Sequence, residues 1–486
     1  MRMRRYGIVL VSAIGFLLPG CMVGPRYVKP SVSVTPNFEE IRESKGGDGW
    51  KVAQPDDDLI RGKWWELYGD PTLNEIEDQV DASNQDLRIA EANLRQARAA
   101  IRFNRASQAP TIGSSPSISH IRVSANQPYF PSSAVNNGTG DFILPLDLSY
   151  EVDLWGRVRR SVAAARQLAQ ASAADLETSR LSLHAEVAID YFEVRSADAQ
   201  ERLLNDTVKA YTEALRLTQN RFEGGAAPKS DVTQAKTQLE DAKVLASDVT
   251  VQRAQYEHAL AILIGKPPAA FHLAVSSLNL VAPVLPAVPI TLPAQLLERR
   301  PDIAAAERRM ASANEQIGIA KAAYYPTLNL AASAGLQGSS ILNWFTWPSR
   351  FWAVGPQLSE TLFDAGRRRA TNESARAGYD AAVAGYRQTV LDAFQQVEDN
   401  LVVLRVLSTE SIQQQQATSA AEESLKLFQN RYAGGVDTYL QVVTSQTTAL
   451  TNERNDIDIL RRRLEANVLL IKAMGGGWNI SNLPQL

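Results

Sequence analysis

The chain repeats its own landmarks at a nearly constant distance along its 486 residues. The segment 220–225, Asn-Arg-Phe-Glu-Gly-Gly, returns 210 residues later as 430–435, Asn-Arg-Tyr-Ala-Gly-Gly. Upstream, Pro110-Thr111 returns 216 residues later as Pro326-Thr327. A duplication of this length is typical of two equivalent structural units and not of a short solenoid repeat. We therefore expect an architecture with internal pseudo-symmetry.

The amino terminus has the pattern of a secretory signal. Three arginines within residues 1–5 precede a short apolar stretch that is too brief to span a bilayer. The following Leu18-Pro19-Gly20-Cys21 looks like a bacterial lipobox, whose cysteine is lipidated and becomes the first mature residue. We therefore predict a covalent lipid on Cys21, and an outer-membrane destination because Met22 is not an aspartate. The alternative is a plain signal peptide followed by an incidental cysteine.

Two regions of the chain alternate with the period of a β-strand. In residues 141–155 the apolar side chains occupy the even positions, and residues 110–123 have the pattern of a weaker partner strand. The second repeat has the same alternation in residues 328–337 and 352–362, with the aromatic run Trp344 to Trp347 between them. Aromatic residues at strand ends are typical of a membrane–water interface. A soluble sheet with one wet face is the alternative.

Each predicted hairpin is followed by a very long helical pattern. Residues 157–222 contain no proline, and a helix of that length at a rise of about 1.5 Å per residue is a rod of about 100 Å. Each rod ends at a Gly-Gly pair, where we expect the chain to turn back into a second helix. The apolar stripe of the second rod repeats at about 3.5 residues, the coiled-coil period. It consists of Val383, Tyr386, Val390, Phe394, Val397, Leu401 and Leu404.

These patterns divide the chain into two repeats with accessory segments between and around them. In each repeat a helix precedes the β-hairpin and a long helix pair follows it. Proline-rich composition marks the tether and the linker. The predicted boundaries are a signal peptide at 1–20, a lipidated extended tether at 21–63, a first structural repeat at 64–266 with its hairpin at about 110–155, a Pro-rich linker at 267–290, a second structural repeat at 291–477 with its hairpin at about 326–363, and a tail at 478–486.

Composition narrows the classes of function. The formal net charge of −3 gives no indication of a nucleic-acid partner, which would call for a basic patch. A single cysteine excludes a disulfide within the chain. The four histidines lie on separate segments without metal-site spacing, and no glycine-rich phosphate loop or nucleophile elbow is present. We therefore predict no enzyme activity, no metal site, and no cofactor besides the lipid on Cys21.

Four predicted strands per chain cannot close a membrane barrel. An open sheet edge in lipid leaves backbone groups without hydrogen bonds, at a cost of several kcal/mol each. Known spanning barrels have at least eight strands. We therefore expect several chains to share one barrel, and a trimer to supply twelve strands. The polar lumen of that barrel is expected to be lined by Asp147, Ser149, Glu151, Asn329, Ser333 and Gln357.

Several short motifs together point to one family. They are Gly24-Pro25-Arg26-Tyr27 after Cys21, Trp64-Trp65, Arg299-Arg300-Pro301-Asp302-Ile303 with Glu307, Tyr325-Pro326, and both Asn-Arg-aromatic-x-Gly-Gly turns. With these motifs the mature chain resembles the TolC/OprM-type outer-membrane efflux channels, in particular their NodT-type lipoprotein branch. The resemblance implies a mainly α fold with a membrane β part, the TolC-like α/β-barrel. In that fold two repeats per chain contribute four β-strands to a shared 12-stranded barrel, and long coiled-coil helices form a periplasmic tunnel.

The resemblance also implies a function and partners. It implies a homotrimer in the bacterial outer membrane, lipid-anchored, with its helical part in the periplasm. Such a channel is the passive exit duct of a tripartite pump, and its partners are a periplasmic adaptor, an inner-membrane RND-type transporter and outer-membrane lipid. The exported substrates are drugs or other small toxic compounds. Two alternatives stay open: a periplasm-spanning coiled-coil lipoprotein without a pore, and a family channel used for protein secretion.

The resemblance places a gate at the periplasmic tip, after the second Gly-Gly pair. The positions that narrow the pore match Leu440, Gln441 and Thr444. Relatives carry one or more aspartates on this helical turn, so the gate of this chain is expected to be less acidic. The alternative for Leu440 is ordinary helix packing.

The same comparison suggests a latch near the tip turns. Asp231 and Tyr432 match positions that hold neighbouring helices shut through hydrogen bonds. The alternative for Asp231 is an N-terminal helix cap just past the turn. The glycines of the two tip turns are Gly224, Gly225, Gly434 and Gly435.

Overall fold

The computed structural model describes residues 22–31, 34–36, 38–39, 62–122, 124, 138–276 and 293–485. Cys21, where we predict the lipid, lies outside the described residues. So do most of the predicted Pro-rich linker and the greater part of the loop between the first two predicted strands.

The first repeat begins with a short 3₁₀ helix at Trp64–Tyr68 and ends with a long antiparallel helix pair. Its hairpin lies between the second helix and this pair, as the alternation of the sequence predicts. The elements are α1 (Pro71–Ser83), α2 (Gln85–Ala106), β1 (Thr111–Gly113), β2 (Ser117–Ile121), β3 (Thr139–Val152), α3 (Arg157–Glu223) and α4 (Lys229–Leu263).

The second repeat has the same order of elements. Both α3 and its counterpart α7 are 67 residues long, and both return helices, α4 and α8, are 35 residues long. The predicted rods of about 100 Å and their pseudo-symmetry are therefore confirmed. The elements are α5 (Pro293–Arg299), α6 (Pro301–Ala322), β4 (Thr327–Gly338), β5 (Arg350–Ser359), α7 (Arg367–Ala433) and α8 (Tyr439–Ala473).

A sharp corner connects the sheet to each long helix. Gly156 and Gly366 adopt positive φ angles of 82° and 90°, a conformation that costs a glycine little. A carboxylate then accepts the free N–H groups of the first helical turn, from Val158 to Asp153 at 3.1 Å and from Arg368 to Asp364 at 3.1 Å. Strand β5 therefore ends at Ser359, short of the predicted 362, because the chain turns into this corner.

The strands form one antiparallel sheet in the order β1–β3–β4–β5, and β2 pairs with β3 beyond the end of β1. The single strand predicted at 110–123 is thus two short strands that occupy one place beside β3. Pro116 lies between them and has no N–H to donate to the ladder. The described sheet has four strand places, with β1 and β2 at one edge and β5 at the other.

The register puts the apolar and polar residues on opposite faces. Leu146 pairs with Ala334, which pairs with Trp352, and Leu146 and Trp352 are 59% and 78% exposed. On the other face Glu151 pairs with Asn329, and Asn329 pairs with Gln357. The predicted alternation is therefore present in three dimensions, and one chain leaves the whole apolar face uncovered.

The helices form a single layer below the sheet. Next to the sheet, α2 packs on α3, α3 on α6, and α6 on α7. Further from the sheet, α4 packs on α3, α3 on α8, and α8 on α7. The layer therefore ends in α2 and α7 near the sheet, and in α4 and α7 near the tips.

One surface of this layer is covered by accessory segments. In the tether, Val23 donates its backbone N–H to Trp155 O at 3.1 Å, and further along Lys29 pairs with Glu307 at 2.9 Å. Phe38 of the tether and Trp64 belong to one buried cluster, so the tether and the segment around α1 lie on the same side. The lumen of the predicted channel has to stay open, so we assign this covered side as the outer surface of the layer.

Among the described residues, none of the helices combines the length and the apolar character that crossing a membrane requires.

Candidate functional site at the helix tips

Two tight turns join the long helices at the end of the molecule that is far from the sheet. In the first turn the Ala226 N–H donates to Arg221 O at 2.7 Å, and Gly225 has a φ of 72°. The second turn repeats this geometry, with Gly435 at a φ of 76°. Only glycine adopts this left-handed conformation without strain, which explains the second glycine of each pair. The structure thus places all four predicted glycines at the tips: Gly224, Gly225, Gly434 and Gly435.

A side chain from the first turn reaches across to the second. Arg221 Nη1 donates to the carbonyl oxygens of Tyr432 at 2.6 Å and Ala433 at 3.3 Å. The Arg221 guanidinium also lies 4.5 Å from the centre of the Tyr432 ring, as a cation–π contact. These carbonyls end helix α7 and have no partner within the helix. Arg221 therefore ties the two helical hairpins of one chain together at their tips.

The pseudo-equivalent arginine makes a different contact. Arg431 forms a two-pronged ion pair with Asp437 inside its own turn, with one N–O distance of 3.1 Å. This hydrogen-bonded pair lowers the pKa of the Asp437 carboxyl. The first turn has Ala227 at the position equivalent to Asp437, so Arg221 has no carboxylate partner in its own turn. The tips are therefore symmetric in backbone and asymmetric in side-chain contacts.

A buried tyrosine pair lies directly above the second turn. Tyr432 and Tyr439 are 5% and 2% exposed, and their ring centres are 5.2 Å apart. They pack with Ala235 of α4 and Val442 of α8. Burial raises the pKa of the Tyr439 phenol to about 12 and also raises that of Tyr432. Both rings are therefore neutral and act as packing groups between the two hairpins.

The predicted latch residues lie in the same region. Tyr432 is buried at the end of α7, and Asp231 is half-buried in the first turn of α4. The negative charge of Asp231 contributes to the raised pKa of Tyr432, after burial itself. No side chain caps the N-terminus of α4, so the capping role considered for Asp231 is absent from this structure. The latch between neighbouring helices stays a prediction.

The three predicted gate residues lie on the free face of the first turns of α8. Leu440 is 54% exposed, and Gln441 and Thr444 are exposed as well. Thr444 Oγ1 donates to Leu440 O at 2.9 Å, which holds its side chain against the helix. The opposite face, with Val442, is buried against the same chain. In a single copy of the chain the three predicted gate residues are therefore exposed.

The charge of this face follows from the same stretch of sequence. Residues 438–452 contain no aspartate or glutamate, so the exposed face of the first turns of α8 is apolar and neutral polar. The nearest carboxylate before it, Asp437, is neutralised by Arg431. The gate was expected to be less acidic than in relatives, and this lack of carboxylates extends over the whole segment 438–452.

Sequence reasoning missed Arg221 and Asp437 as tip residues. Arg221 and Arg431 both belong to the repeated Asn-Arg motif, so they looked equivalent in the sequence. The informative difference was the unmatched pair Ala227 and Asp437, because it leaves only one of the two arginines with a local carboxylate.

Comparison with known proteins decides the family. The profile described as outer membrane efflux protein matches residues 77–266 and 292–476, one match for each repeat. The chain belongs to the outer membrane efflux protein family. It is an outer-membrane efflux channel of the kind found in tripartite pumps, with its helices in the periplasm. Members of this family are transport conduits and perform no chemistry of their own.

Relatives match this channel along its whole length. It is 31% identical over 473 residues to the probable efflux pump outer membrane protein TtgC of Pseudomonas putida, covering 97% of this chain and 96% of that one. It is 30% identical over 483 residues to the outer membrane protein OprJ of Pseudomonas aeruginosa, covering 99% and 97%. The predicted family is therefore confirmed.

Solved channels share the fold. The outer-membrane channel OprN superimposes with a TM-score of 0.86 at 28% identity, over 94% of this chain and all of that one. The CmeC channel of Campylobacter jejuni superimposes with a TM-score of 0.87 over 95% of this chain and 96% of that one, although the identity is 23%. The predicted TolC-like α/β-barrel is confirmed.

For this channel we predict that Leu440→Ala raises the single-channel conductance in planar bilayers. A leucine buried between copies in the closed tip contributes about 1.5–3 kcal/mol, which corresponds to at least a tenfold shift toward the open tip when it is removed. Leu168→Ala is the matched control, because Leu168 is similarly exposed at 48% but lies at the sheet end of α3, far from the tip. Unchanged conductance for Leu440→Ala would show that this residue only packs.

Proposed function

We propose that three copies of this chain close one channel that exports drugs or other small toxic compounds. A periplasmic adaptor and an inner-membrane RND-type transporter deliver the compounds to it. Relatives at 31% identity support this class of substrate, since two of them are named antibiotic efflux pump outer membrane protein ArpC and toluene efflux pump outer membrane protein TtgC. The channel supplies the passive duct, and the transporter supplies the energy.

The proposal rests on one observation: in a single copy, both the sheet and the helix layer have two different edges. The sheet ends in β1 and β2 on one side and β5 on the other. The helix layer ends in α2 or α4 on one side and α7 on the other. Unlike edges join head to tail, and such contacts generate a ring when the rotation closes. Three copies supply twelve strand places, and closure removes every unpaired edge from the lipid.

The two edge helices near the sheet fit each other in shape. On α2 a row of exposed residues alternates at spacings of three and four, and its bulky members Ile89 and Phe103 are 58% and 79% exposed. On α7 the exposed edge carries small residues at the same spacings, which lets a second helix approach closely. The α2 row is Ile89, Ala92, Gln96, Ala99, Phe103 and Ala106, and the α7 row is Ala370, Ser374, Ala377, Ala381 and Ala384.

The position of the tether supports a lipid on Cys21. Met22, the residue after it, lies against Gly156 at the corner between β3 and α3, where a Cβ on the glycine would come within 2.5 Å of Met22 Cγ. Met22 therefore lies at the level where the apolar sheet ends and the helices begin, and Cys21 directly precedes it. An acyl chain attached there would enter the bilayer beside the barrel, as a second anchor.

The test is to purify the channel in detergent and to measure its mass by native mass spectrometry and its current in planar bilayers. We expect trimers that conduct. Phe103→Asp should give monomers and no current, because it places a charge in the α2–α7 contact between copies. Leu168→Asp is the matched control, since Leu168 is exposed at 48% on α3, a helix with neighbours on both sides.

In cells, deletion of the gene should increase susceptibility to a panel of toxic compounds, and the wild-type gene should restore resistance. Phe103→Asp should fail to restore it, whereas Leu168→Asp should succeed. Monomers without current in the wild-type protein would favour the poreless coiled-coil lipoprotein. Unchanged drug susceptibility together with retention of a secreted protein in the deletion strain would favour the protein-secretion alternative.

A further inference from the structure

One face of helix α2 carries a row of arginines. They are spaced by seven, three, four and three residues, which puts all five on one side of the helix. All five are exposed. They are Arg88, Arg95, Arg98, Arg102 and Arg105.

The last four of these arginines have no anionic partner in the structure. Across the described residues, the guanidinium groups of Arg95, Arg98, Arg102 and Arg105 make no side-chain hydrogen bond or ion pair, and we name these four residues the arginine stripe. Other exposed arginines do pair, as Arg309 does with Asp175 at 2.6 Å. Glu91 lies on the same face, four residues before Arg95, so the excess of positive charge is greatest toward Arg98, Arg102 and Arg105. This excess produces a local positive potential that the net charge of the chain conceals.

The neighbouring copy in the proposed trimer does not neutralise the arginine stripe. This step rests on the proposed assembly, in which α7 of one copy lies beside α2 of the next. The facing segment, residues 364–392, carries five arginines against four carboxylates, and one of these arginines, Arg368, is already paired with Asp364 at 2.7 Å. The neighbouring copy therefore supplies no net negative charge to the stripe.

The arginine stripe lies on the outer surface of the layer. Arg88, the first arginine of the row, donates to Ala82 O of α1 at 3.1 Å, and α1 belongs to the accessory segments that cover the outer side. The stripe therefore faces away from the lumen. A role in selecting the exported compounds is excluded by this position.

The arginine stripe also lies next to the membrane-facing part of the sheet. Arg105 precedes the start of β1 at Thr111 by six residues, and Arg95 lies about 15 Å further down the helix. At the same level, where β5 turns into α7, Leu362 and Phe363 are 89% and 85% exposed. Exposed apolar side chains beside a row of arginines are typical of the interface between a bilayer and water.

We propose that the arginine stripe binds the anionic headgroups of phospholipids in the periplasmic leaflet of the outer membrane. A guanidinium group donates two parallel hydrogen bonds to a phosphate. Arg102 and Arg105, which lie nearest the sheet, meet the headgroup layer, and Arg95 and Arg98 extend the positive potential below it. The stripe fixes the depth and the tilt of the helical tunnel, which the lipid anchor and the apolar sheet alone do not determine.

The test uses the full-length trimer in a neutral detergent, titrated with phosphatidylglycerol or with phosphatidylcholine, and counts bound lipids by native mass spectrometry. We expect phosphatidylglycerol to bind preferentially, and 0.5 M salt to weaken its binding. The variant Arg98→Gln/Arg102→Gln/Arg105→Gln should need an at least tenfold higher phosphatidylglycerol concentration for half occupancy, since each basic residue near an anionic surface strengthens binding by about fivefold.

Two matched controls separate charge from structure. Arg98→Lys/Arg102→Lys/Arg105→Lys keeps the charge and should retain most of the preference. Lys209→Gln/Arg216→Gln/Lys243→Gln removes three exposed cations on the distant parts of α3 and α4 and should bind lipid as the wild type does. All variants should remain conducting trimers in neutral bilayers, so failure of the assembly would be visible separately.

Three results would overturn the proposal. One is equal binding of phosphatidylcholine and phosphatidylglycerol to the wild type. Another is unchanged phosphatidylglycerol binding in the triple glutamine variant. A third is retention of peptidoglycan fragments by the stripe without any preference for phosphatidylglycerol, because the anionic partner would then be the cell wall.

Discussion

Replacing Asp198 by asparagine is expected to lower the free energy of unfolding by about 3 kcal/mol, the lower part of the range for breaking a buried ion pair. Asp198 is 1% exposed on α3 and accepts hydrogen bonds from two arginines, Arg253 at 2.6 Å and Arg195 at 3.1 Å. Asparagine keeps the shape of the side chain but removes the charge between two buried cations. The midpoint of urea unfolding, followed by circular dichroism in detergent, measures the change.

The same carboxylate holds the start of the segment that joins the two repeats. Asp198 accepts the backbone N–H of Ser276 at 3.0 Å, and Arg253 donates to Leu273 O at 2.8 Å. Glu257 completes the clamp by accepting the Leu273 N–H at 2.7 Å. Asp198→Asn should therefore also expose residues 273–276 to limited proteolysis at temperatures where the wild type resists it.

Asp206→Asn is the matched control on the same helix. Asp206 forms an exposed ion pair with Lys209 at 2.8 Å, and such surface pairs contribute little to stability. Its unfolding midpoint should stay close to that of the wild type. Equal midpoints for Asp198→Asn and Asp206→Asn would contradict the clamp, because the buried network would then contribute no more than a surface pair.

Replacing Arg221 by glutamine is expected to raise the open probability of the channel by at least tenfold. A hydrogen bond from a charged donor contributes about 1.5–3 kcal/mol, and about 1.4 kcal/mol corresponds to a factor of ten in an equilibrium. Arg221 donates to the Tyr432 and Ala433 carbonyls and covers the Tyr432 ring, so its loss frees the two hairpin tips of each copy. Single-channel recording in planar bilayers measures the effect.

The duplication of the chain provides the control for this experiment. Arg431→Gln removes the pseudo-equivalent arginine, whose ion pair with Asp437 stays within its own turn. It should leave the open probability within about twofold of the wild type, because the median exposed ion pair contributes little. Equal effects of the two substitutions would mean that the cross-tip contact does not restrain opening.

Local patterns in the sequence were sufficient to predict most elements of the fold. Strand alternation in residues 141–155 and the uninterrupted helical stretch of 157–222 correspond to β3 and α3. The glycine pairs predicted the two tip turns, because a left-handed backbone conformation strongly favours glycine. This preference depends only on the residues of the turn itself. The exposure of Leu440 and Thr444 on one face follows from their spacing of four residues on a helix.

Contacts between segments that are distant along the chain were not predicted from the sequence. The alternation of 110–123 did not reveal that β1 and β2 are separated, because the break depends on how Pro116 meets the ladder of β3. The clamp joins Asp198 to Arg253 and Ser276, which lie 55 and 78 positions away, so no short window of sequence contains it. The arginine stripe was hidden by an overall charge of −3, which averages over faces that only the folded layer separates.

The sequence by itself determined the two repeats, their helices and strands, and the turns between them, because hydrophobic period and backbone freedom act over a few neighbouring residues. The tertiary structure alone decided that the arginine without a local carboxylate, Arg221, crosses to the second tip. Arg221 donates to the Tyr432 carbonyl of the second tip, whereas Arg431 pairs with Asp437 within its own turn. That choice depends on distances between residues 211 positions apart, which the fold creates.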